Sequence, residues 1–485
     1  MEVIQDLVVI GGGVNGAGIA RDAAGRGLSV TLVEKGDLAG ATSSASSKLI
    51  HGGLRYLEHF EFRLVAEALA ERETLLRVAG HLTWPMRFVV PHVPQLRPRW
   101  MIRTGLFLYD HLARRSLLPG SQAVRLDRAP YRAGLRPELK HGFLYSDCGV
   151  DDSRLVIANA LDAAARGARI LVHTECRRAR RDGALWRVEL SNGETVRARA
   201  LVNAAGPWVK EVLHDRVGHA TRDAVRLVKG SHVVFPRLYE GEHAFILQND
   251  DRRVIFMIPF EERFTLVGTT DVDYEGDPAA PQADGAETDY LCGALRRYLA
   301  HAPQASDVVW HYSGVRPLHD DGSADPSAIT RDYTLRADDA AGAAPVLSVF
   351  GGKITTYRRL AEHAMEKLAP YFPALKPAWT GREPLPGSDF ADRERARQEV
   401  FRRYAAVAPE VLRGVFRRHG TRAGEVLGDG DCGEHFGAGL TERELVYFTE
   451  REWARSAEDV LWRRTKCGLH MTEAQCRRVA RVLGR

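Results

Sequence analysis

The chain has 485 residues, of which 45% are hydrophobic and 27% are charged. This composition is ordinary for a soluble globular protein of several domains, and it excludes a disordered chain. The formal net charge of +5 is too small to indicate nucleic acid as a partner. The cysteines are scattered and include no CxxC pair, so neither a zinc site nor a disulfide framework is predicted.

The first residues, MEVIQDLVVIGGG, contain acidic side chains and run directly into a strand and a glycine turn. A secretory signal would instead have a basic start, an apolar stretch and a small-residue cleavage site. The sequence also contains no run of about 18 apolar residues that could cross a bilayer. We therefore expect a cytoplasmic protein, either free or attached to a membrane surface.

The first motif predicts a dinucleotide-binding turn. An apolar run at residues 7–10 is typical of a strand buried on both faces, and Gly11, Gly13 and Gly16 follow it with G-x-G-x-x-G spacing. The first glycine allows a tight turn, the second lets the backbone approach a pyrophosphate, and the third lets the next helix pack closely. The spacing alone is also compatible with an ordinary tight turn.

The elements around these glycines strengthen the prediction. A helix is predicted over residues 15–27, where its free amides would face phosphate oxygens, and a second strand over residues 29–33 ends at Glu34. A carboxylate at this place accepts hydrogen bonds from ribose hydroxyls and disfavours the extra phosphate of NADP. Strand, turn, helix and acid together predict a dinucleotide site.

Residues 41–56, ATSSASSKLIHGGLRY, form what we call the serine loop. By composition it could be a flexible surface linker. A simple NAD dehydrogenase would continue here with more strand-helix units, whereas this loop offers groups that could bind a second phosphate region. These groups are Ser43, Ser44, Ser46, Ser47 and Lys48. The glycine pair that follows them would let the backbone lie against a flat ring, which favours FAD over NAD.

The middle of the chain predicts two further kinds of structure. A helix over residues 153–166 and two alternating strands lead to ALVNAAGPWV, an apolar strand that enters a glycine turn. Residues 204–206 would approach the flavin nucleotide, and a packed core turn is the alternative. Residues 223–340 are mostly β-like, which predicts an inserted sheet domain that covers the flavin.

Proline and glycine cluster in GREPLPGSDF, residues 381–390, which predicts a domain boundary. The residues that follow are helical in pattern and rich in arginine and glutamate. Such a domain commonly supports the catalytic part or a dimer contact. DNA binding is the alternative for these arginines, but the interleaved acids argue against it.

Seven ordered motifs are similar to those of one known family: ATSSASSKLIHGGLRYLEH, VNAAGPWV, KGSHVV, VGTTD, YSGVRPL, AITRDY and SVFGGKITTYR. By these motifs the chain resembles the FAD-dependent, respiratory glycerol-3-phosphate dehydrogenases, and the resemblance covers nearly the whole chain. It implies an α/β fold with a Rossmann-like FAD-binding domain of the glycine-oxidase and D-amino-acid-oxidase type. An antiparallel β-sheet substrate domain and a C-terminal α-helical domain would complete the chain.

The resemblance also implies domain limits. The oxidoreductase core is expected over residues 1–385 and the helical domain over residues 386–485. Within the core, FAD-binding segments are expected at about residues 1–85, 145–222 and 340–380, and substrate or cap segments at about residues 86–144 and 223–339.

FAD is the implied cofactor, and no metal is expected. The residues expected to bind FAD are Gly11, Gly13, Asn15, Gly16, Glu34, Lys35, Thr42, Ser43, Ser44, Ser47, Lys48, Leu49, His51, Gly52, Ala205, Gly206, Trp208, Gly352, Lys353 and Thr355. Lys353 follows a glycine pair, so it could also stabilise the negative charge of reduced flavin.

The implied substrate, glycerol 3-phosphate, is a small dianion that needs cationic groups for its phosphate and a base near its C2 hydroxyl. The residues expected to bind it are Arg55, Tyr56, His232, Thr270, Arg316, Arg331 and Lys353. His232, Arg316 and Lys353 are the expected catalytic residues. A buried structural ion pair is the alternative role for either Arg316 or Arg331.

The implied reaction moves a hydride from C2 to flavin N5 while His232 takes the hydroxyl proton, which gives dihydroxyacetone phosphate. Lys353 or a water could take this proton instead. Three alternative functions stay open: an oxidase that uses oxygen, an amino-acid oxidase or dehydrogenase on the same scaffold, and a flavoprotein sensor without turnover.

The resemblance further implies a respiratory quinone as electron acceptor, attachment to the cytoplasmic face of the inner membrane, and a homodimer. Two stretches could touch the bilayer. Residues 97–115, RPRWMIRTGLFLYDHLARR, mix arginines with an apolar run, and residues 354–372 have apolar positions at helical spacing. Amphipathic helices of this kind more often cover a core.

Overall fold

The computed structural model describes residues 3–132, 134–219, 221, 223, 225–251, 253–319, 332–339 and 342–484. The predicted substrate residue Arg331 lies outside the described residues. Within them, the chain forms two large sheets, one small sheet and a set of helices.

The strands follow one another in this order: β1 (Ile4–Ile10), β2 (Val30–Val33), β3 (Leu49–Ile50), β4 (Thr83–Pro91), β5 (Gln122–Arg125), β6 (His141–Val150), β7 (Arg169–Leu171), β8 (Cys176–Asp182), β9 (Leu185–Leu190), β10 (Thr195–Asn203), β11 (Val225–Pro236), β12 (Ala244–Gln248), β13 (Val254–Phe260), β14 (Phe264–Gly268), β15 (Val272–Asp273), β16 (Trp310–His319), β17 (Thr334–Asp338), β18 (Val346–Phe350), β19 (His435–Gly437) and β20 (Leu440–Thr441).

The α-helices are α1 (Val14–Gly25), α2 (Phe62–Val78), α3 (Arg99–His111), α4 (Asp152–Ala165), α5 (Val209–Glu211), α6 (Gly285–Tyr298), α7 (Tyr357–Leu368), α8 (Arg393–Arg403), α9 (Pro409–His419), α10 (Ala423–Leu427), α11 (Glu442–Arg451) and α12 (Glu473–Val482). Among the described residues, no helix is both long and apolar enough to span a bilayer.

The first large sheet has the strand order β17-β18-β10-β1-β2-β7, and the hairpin of β8 and β9 pairs with β10. Strands β1, β2, β7, β10 and β18 run parallel. Leu7, Val8 and Val9 of β1 are fully buried, because α1, α4 and α7 cover one face of the sheet and the hairpin covers the other. Burial on both faces is what the continuous apolar run predicts.

The second large sheet has the order β15-β11-β14-β13-β12-β4-β6-β3, with β16 paired to β11 and β5 paired to β6. Its pairs are antiparallel except for β4 with β12. Helix α6 packs on one face, and α2 and α3 pack on the other. This sheet is the predicted substrate domain.

Helices α8 to α12 and the small sheet of β19 and β20 follow the two large sheets and share a core of their own. The predicted fold class, a Rossmann-like domain with a β-sheet domain and a C-terminal helical domain, is confirmed by this architecture. The domain limits stay predictions.

One predicted amphipathic segment is a core helix. In α7, Leu360, Ala364 and Met365 are fully buried in the core that α7 shares with α1. The prediction that residues 354–372 could contact a membrane is therefore wrong, because the apolar face of the helix is already covered.

Candidate active site

The turn between β1 and α1 leaves no room for side chains at two of its glycines. Gly11 has a φ of +111°, and a Cβ on it would stand 2.5 Å from the carbonyl oxygen of Ala204. A Cβ on Gly16 would stand 1.9 Å from the carbonyl oxygen of Gly11. These contacts match the roles that the motif predicts: Gly11 forms the tight turn, and Gly16 lets the helix pack closely.

Glu34, Lys35 and Trp208 lie at the carboxyl ends of β2 and β10. The carboxylate of Glu34 accepts hydrogen bonds from the backbone N–H of Gly12, at 2.6 Å, and of Gly36, at 2.8 Å. Desolvation raises the pKa of Glu34 against the effect of these two bonds. Nζ of Lys35 lies 3.7 Å from the ring centre of Trp208. Three predicted cofactor residues thus meet at one edge of the first sheet.

A cavity of about 1130 Å³ is lined by residues of both large sheets and of the serine loop. Eleven predicted cofactor residues line it: Gly13, Asn15, Thr42, Ser43, Ser47, Leu49, His51, Gly206, Gly352, Lys353 and Thr355. The predicted substrate residues Arg55, Tyr56, His232 and Arg316 line it as well. The structure therefore brings the dinucleotide turn and most of the predicted substrate site to one space.

His232 lies on β11, with its imidazole stacked on the ring of Tyr312 of β16 at 4.8 Å and 14°. Its Nε2 is 2.9 Å from Oγ of Ser47. Burial holds the pKa of His232 well below its usual value, and the positive charges of Arg316 and Lys48 act in the same direction. The imidazole is therefore neutral near pH 7, so one of its two ring nitrogens carries no proton.

The guanidinium group of Arg316 forms an ion pair with Asp271 and donates a hydrogen bond to Oγ1 of Thr269 at 3.0 Å. A Cβ on Gly230 would stand 2.2 Å from Nη2 of Arg316, so a side chain at this position would displace the guanidinium group. Arg316 is 21% exposed and lines the cavity. Arg316 therefore forms the ion pair that was its alternative role, and it also lines the cavity where a substrate could bind.

Lys353 and Asn15 lie on either side of the Gly351–Gly352 turn. Nζ of Lys353 is 3.9 Å from the ring centre of Tyr56, and Nδ2 of Asn15 donates a hydrogen bond to the carbonyl oxygen of Gly351 at 3.1 Å. The φ angles of the two glycines are +75° and +104°, and a Cβ on Gly352 would stand 2.8 Å from Nδ2 of Asn15. Predicted residues from distant parts of the chain thus meet at this turn.

The cavity wall, as far as the described residues form it, does not include ten of the predicted residues: Gly11, Gly16, Glu34, Lys35, Ser44, Lys48, Gly52, Ala205, Trp208 and Thr270. Nζ of Lys48 pairs instead with Asp152 at 2.9 Å. The hydroxyl of Thr270 donates to Glu287 at 2.7 Å and accepts the N–H of Ser231 at 2.9 Å. The roles of these ten residues stay predictions.

Three residues next to the predicted site were not singled out from the sequence. Thr269 and Asp271 line the cavity on either side of Thr270, and Tyr312 stacks on His232. Thr269 and Asp271 belong to the VGTTD motif and Tyr312 to the YSGVRPL motif, so the motifs themselves contained the signal. Only the strand register decides which of their side chains face the cavity.

Comparison with known proteins identifies this arrangement. Residues 6–358 match the family described as FAD dependent oxidoreductase, and residues 378–485 match the C-terminal domain of alpha-glycerophosphate oxidase. The chain belongs to the FAD-dependent oxidoreductase family. FAD is its cofactor, and the family predicted from the motifs is confirmed.

Individual relatives of this FAD-dependent oxidoreductase match over nearly their whole length. The chain is 52% identical to the aerobic glycerol-3-phosphate dehydrogenase of Escherichia coli, over 99% of this chain and 97% of that protein. It is 50% identical to the D-erythritol 1-phosphate dehydrogenase of Brucella abortus, over 97% of this chain and 96% of that protein. The solved glycerol-3-phosphate dehydrogenase of Bacillus halodurans, complexed with FAD, has a TM-score of 0.75 and 28% identity, covering 100% of this chain and 94% of that one.

The residues present fit FAD. The close contacts of Gly11 and Gly16 fix the turn between β1 and α1, and Gly13 of this turn and Gly352 line the cavity without side chains of their own. Oδ1 of Asn15, which lines the cavity, is buried without a hydrogen-bond partner among the described residues. A ligand with hydrogen-bond donors would satisfy this oxygen.

Proposed function

We propose that the protein oxidises glycerol 3-phosphate to dihydroxyacetone phosphate and passes the electrons to a membrane quinone. The observation that supports this most is the cavity, in which a neutral imidazole lies near cationic side chains. These groups are His232, Arg55, Arg316 and Lys353. The names of two relatives that match nearly full length, from Pseudomonas aeruginosa and Escherichia coli, point to the same substrate.

The cations suit a phosphate dianion. Arg316 is held by Asp271 and Thr269, which keeps its guanidinium group in the cavity wall. A guanidinium held in this way offers donors in a planar fork that matches phosphate oxygens. Arg55 and Lys353 would complete the phosphate site, and Arg331 stays a further predicted member of it.

His232 would take the proton of the C2 hydroxyl. Its imidazole is neutral, lines the cavity and is oriented by Ser47 and Tyr312. FAD, when bound, supplies the acceptor for the hydride from C2. Loss of the hydroxyl proton to His232 lets the carbonyl form as the hydride departs. The phosphate contacts hold C2 in place during this step.

A quinone acceptor is supported by the surface onto which the cavity extends. Five large apolar side chains of this region are exposed: Phe60, Phe62, Trp100, Met101 and Phe107. We call them the α3 surface. The first four also line the cavity, and the exposed arginines Arg99 and Arg103 flank them on α3. Apolar side chains beside arginines suit an anionic lipid surface, where a quinone could reach the cavity.

Attachment of this surface to the cytoplasmic face of the inner membrane, and a homodimer, belong to the same proposal. The α3 surface supports the first. The homodimer rests on the family resemblance alone and is tested by light scattering on the purified holoenzyme.

D-erythritol 1-phosphate is a second candidate substrate, because one relative at 50% identity is named for its oxidation. Both substrates carry a phosphate and a secondary alcohol, so the same cations and the same base would serve for each. The erythritol ester has one more CHOH group, and therefore one more secondary alcohol, than glycerol 3-phosphate.

The deciding experiment is anaerobic. The purified flavoprotein is mixed with glycerol 3-phosphate, D-erythritol 1-phosphate or glycerol, and the visible flavin absorption is followed. We expect bleaching with glycerol 3-phosphate and none with glycerol, which lacks the phosphate. Faster bleaching with the erythritol ester would reassign the substrate, and no bleaching with either ester would refute the proposal.

The electron acceptor is tested on the reduced protein. We expect rapid recovery of the flavin absorption with a short-chain quinone and slow recovery in air. Rapid recovery in air would instead establish an oxidase. Replacing His232 by alanine should abolish rapid bleaching while FAD stays bound, and unchanged bleaching would remove His232 from the role of base.

A further inference from the structure

Four rings form a continuous row from the C-terminal region to the candidate base. Trp462 stacks on Trp310 with ring centres 4.7 Å apart and planes at 17°. Trp310 contacts Tyr312 at 5.0 Å, and Tyr312 stacks on His232 at 4.8 Å and 14°. We call Trp462, Trp310, Tyr312 and His232 the aromatic row. It joins a residue that follows α11 to a residue in the cavity wall.

The sheet explains three of the four positions. Trp310 and Tyr312 are two residues apart on β16, so their side chains point to the same face. On β11, His232 is opposite Tyr312 and Val234 is opposite Trp310. The imidazole of His232 therefore lies beside the ring of Tyr312 on β16. The ring of Trp310 is the next one along β16.

Trp462 comes from a different part of the fold. It lies in a π-helical turn, Asp459–Arg464, in the C-terminal region. Arg463 and Arg464 in this turn pair with Asp37 at 2.6 Å and 2.5 Å. Nζ of Lys466 donates to Oγ of Ser153 at 3.1 Å. These two ion pairs and this hydrogen bond position the turn that carries Trp462, and none of them involves a ring of the row.

His232 is a buried side chain that makes one hydrogen bond among the described residues. Its Nε2 contacts Ser47, while its Nδ1 is buried without a hydrogen-bond partner among the described residues. One hydrogen bond does not fix the tilt of the ring, so packing must set it. A Cβ on Gly268 of β14 would stand 2.2 Å from Cδ2 of His232, and Tyr312 stacks on the ring face. Tyr312 is itself held by its hydroxyl, which donates to the carbonyl oxygen of Ser46 at 2.8 Å.

We propose that Trp462 is a positioning residue for His232, acting through Trp310 and Tyr312, so that docking of the C-terminal region sets the orientation of the base. This inference rests on the proposed role of His232 in the oxidation. It gives the C-terminal region a part in the reaction although none of its residues lines the described cavity wall.

The test uses the full-length holoenzyme with Trp462→Leu, which keeps an apolar side chain but removes the stacked ring, and Trp462→Phe, which restores a ring. Trp379→Leu is the matched control, because this tryptophan contacts Arg21 and Arg166 away from the row. Near-ultraviolet circular dichroism reports whether the stacked pair of Trp462 and Trp310 is still present. Bound FAD is measured for every variant.

For Trp462→Leu we expect the rate constant of flavin reduction at saturating substrate to fall roughly 10- to 100-fold, with little change in substrate affinity. We also expect the acid limb of the pH profile to move to higher pH, because a loosened imidazole regains water and its pKa rises. Trp462→Phe should recover most of the rate. The control should match the wild type.

The inference would be overturned if Trp462→Leu loses the circular dichroism of the stacked pair but keeps two properties of the wild type. These are the rate constant of flavin reduction and the acid limb of its pH profile. The proposed function fails separately, when the wild type is not reduced by either phosphate ester. In that case the row is still tested by nitrogen-15 NMR of the histidine rings, with the His232 signal assigned from His232→Gln. The inference then requires His232 to titrate at higher pH in Trp462→Leu than in the wild type, and equal titration would refute it.

Discussion

Nε2 of His232 and Oγ of Ser47 lie 2.9 Å apart, so the serine loop is hydrogen-bonded to the second sheet at the candidate base. We expect Ser47→Ala to lower the rate constant of flavin reduction about tenfold, since the imidazole loses its one directional contact. Ser47→Thr should keep the hydroxyl and most of the rate. Stopped-flow absorption under anaerobic conditions measures both.

A double-variant cycle tests whether Ser47 acts through His232. If it does, Ser47→Ala should have no further effect in a protein that already carries His232→Ala. Independent, multiplicative losses would show that the serine acts elsewhere, for example directly on FAD.

Arg316 is expected to determine substrate affinity. Replacing it by alanine removes a charge-assisted hydrogen bond to phosphate, so the substrate dissociation constant should rise roughly 10- to 100-fold. Arg316→Lys should recover little, because an ammonium group cannot reproduce the planar fork of donors with which a guanidinium group spans Asp271, Thr269 and the substrate. The dissociation constant comes from the dependence of flavin reduction on substrate concentration.

Arg253→Ala is the control for this prediction. Arg253 pairs with Asp251 and does not line the described cavity wall, so its loss should leave the substrate dissociation constant near that of the wild type. Equal affinities in Arg316→Ala and the wild type would show that Arg316 serves only its ion pair with Asp271.

The α3 surface is expected to bind lipid. Trp100 is 68% exposed and Phe107 is 58% exposed, and transfer of each ring into a bilayer interface should contribute about tenfold to binding. Trp100→Ser with Phe107→Ser should therefore weaken cosedimentation with anionic vesicles, while reduction of FAD by substrate continues. Val446→Ser removes an exposed apolar side chain of α11 as the control. Equal loss in the control would mean that binding is not specific to the α3 surface.

The fold was largely predictable because its signals are local. The apolar run of β1, the glycines after it and Glu34 at the end of β2 are each set by neighbouring residues, so the pattern alone places them. Helix boundaries were less certain. The helix predicted to open at Ser153 begins at Asp152, because the carboxylate of Asp151 accepts the N–H of Arg154 and caps it.

The parts of the site that the sequence did not predict depend on contacts between distant segments. Helical spacing in residues 354–372 indicates an apolar face, but only the packing of α7 on α1 shows what covers it. Likewise, nothing local to Trp462 indicates that its ring meets Trp310 of β16. Lys48 was predicted to add charge for a phosphate, and its pairing with Asp152 follows from the docking of α4.

His243 shows how burial makes the stability of the fold depend on pH. Its ring lies among Tyr131, Tyr239 and Phe245, with ring centres 5.1, 5.4 and 4.8 Å away. Burial lowers the pKa of His243 from 6.5 to about 4. Between these values the unfolded chain binds a proton that the folded chain does not, so stability falls as the pH falls through this window.

His243→Phe should remove this contribution, because phenylalanine keeps an aromatic ring in the cage and does not titrate. Between about pH 7.5 and about pH 5.5, the free energy of unfolding of the wild type should decrease by about 1 kcal/mol more than that of the variant. Urea unfolding at the two pH values measures the difference, and comparing the differences cancels other titrating groups. An equal decrease in the free energy of unfolding of both proteins would mean that His243 has nearly the same pKa in the folded and unfolded chains.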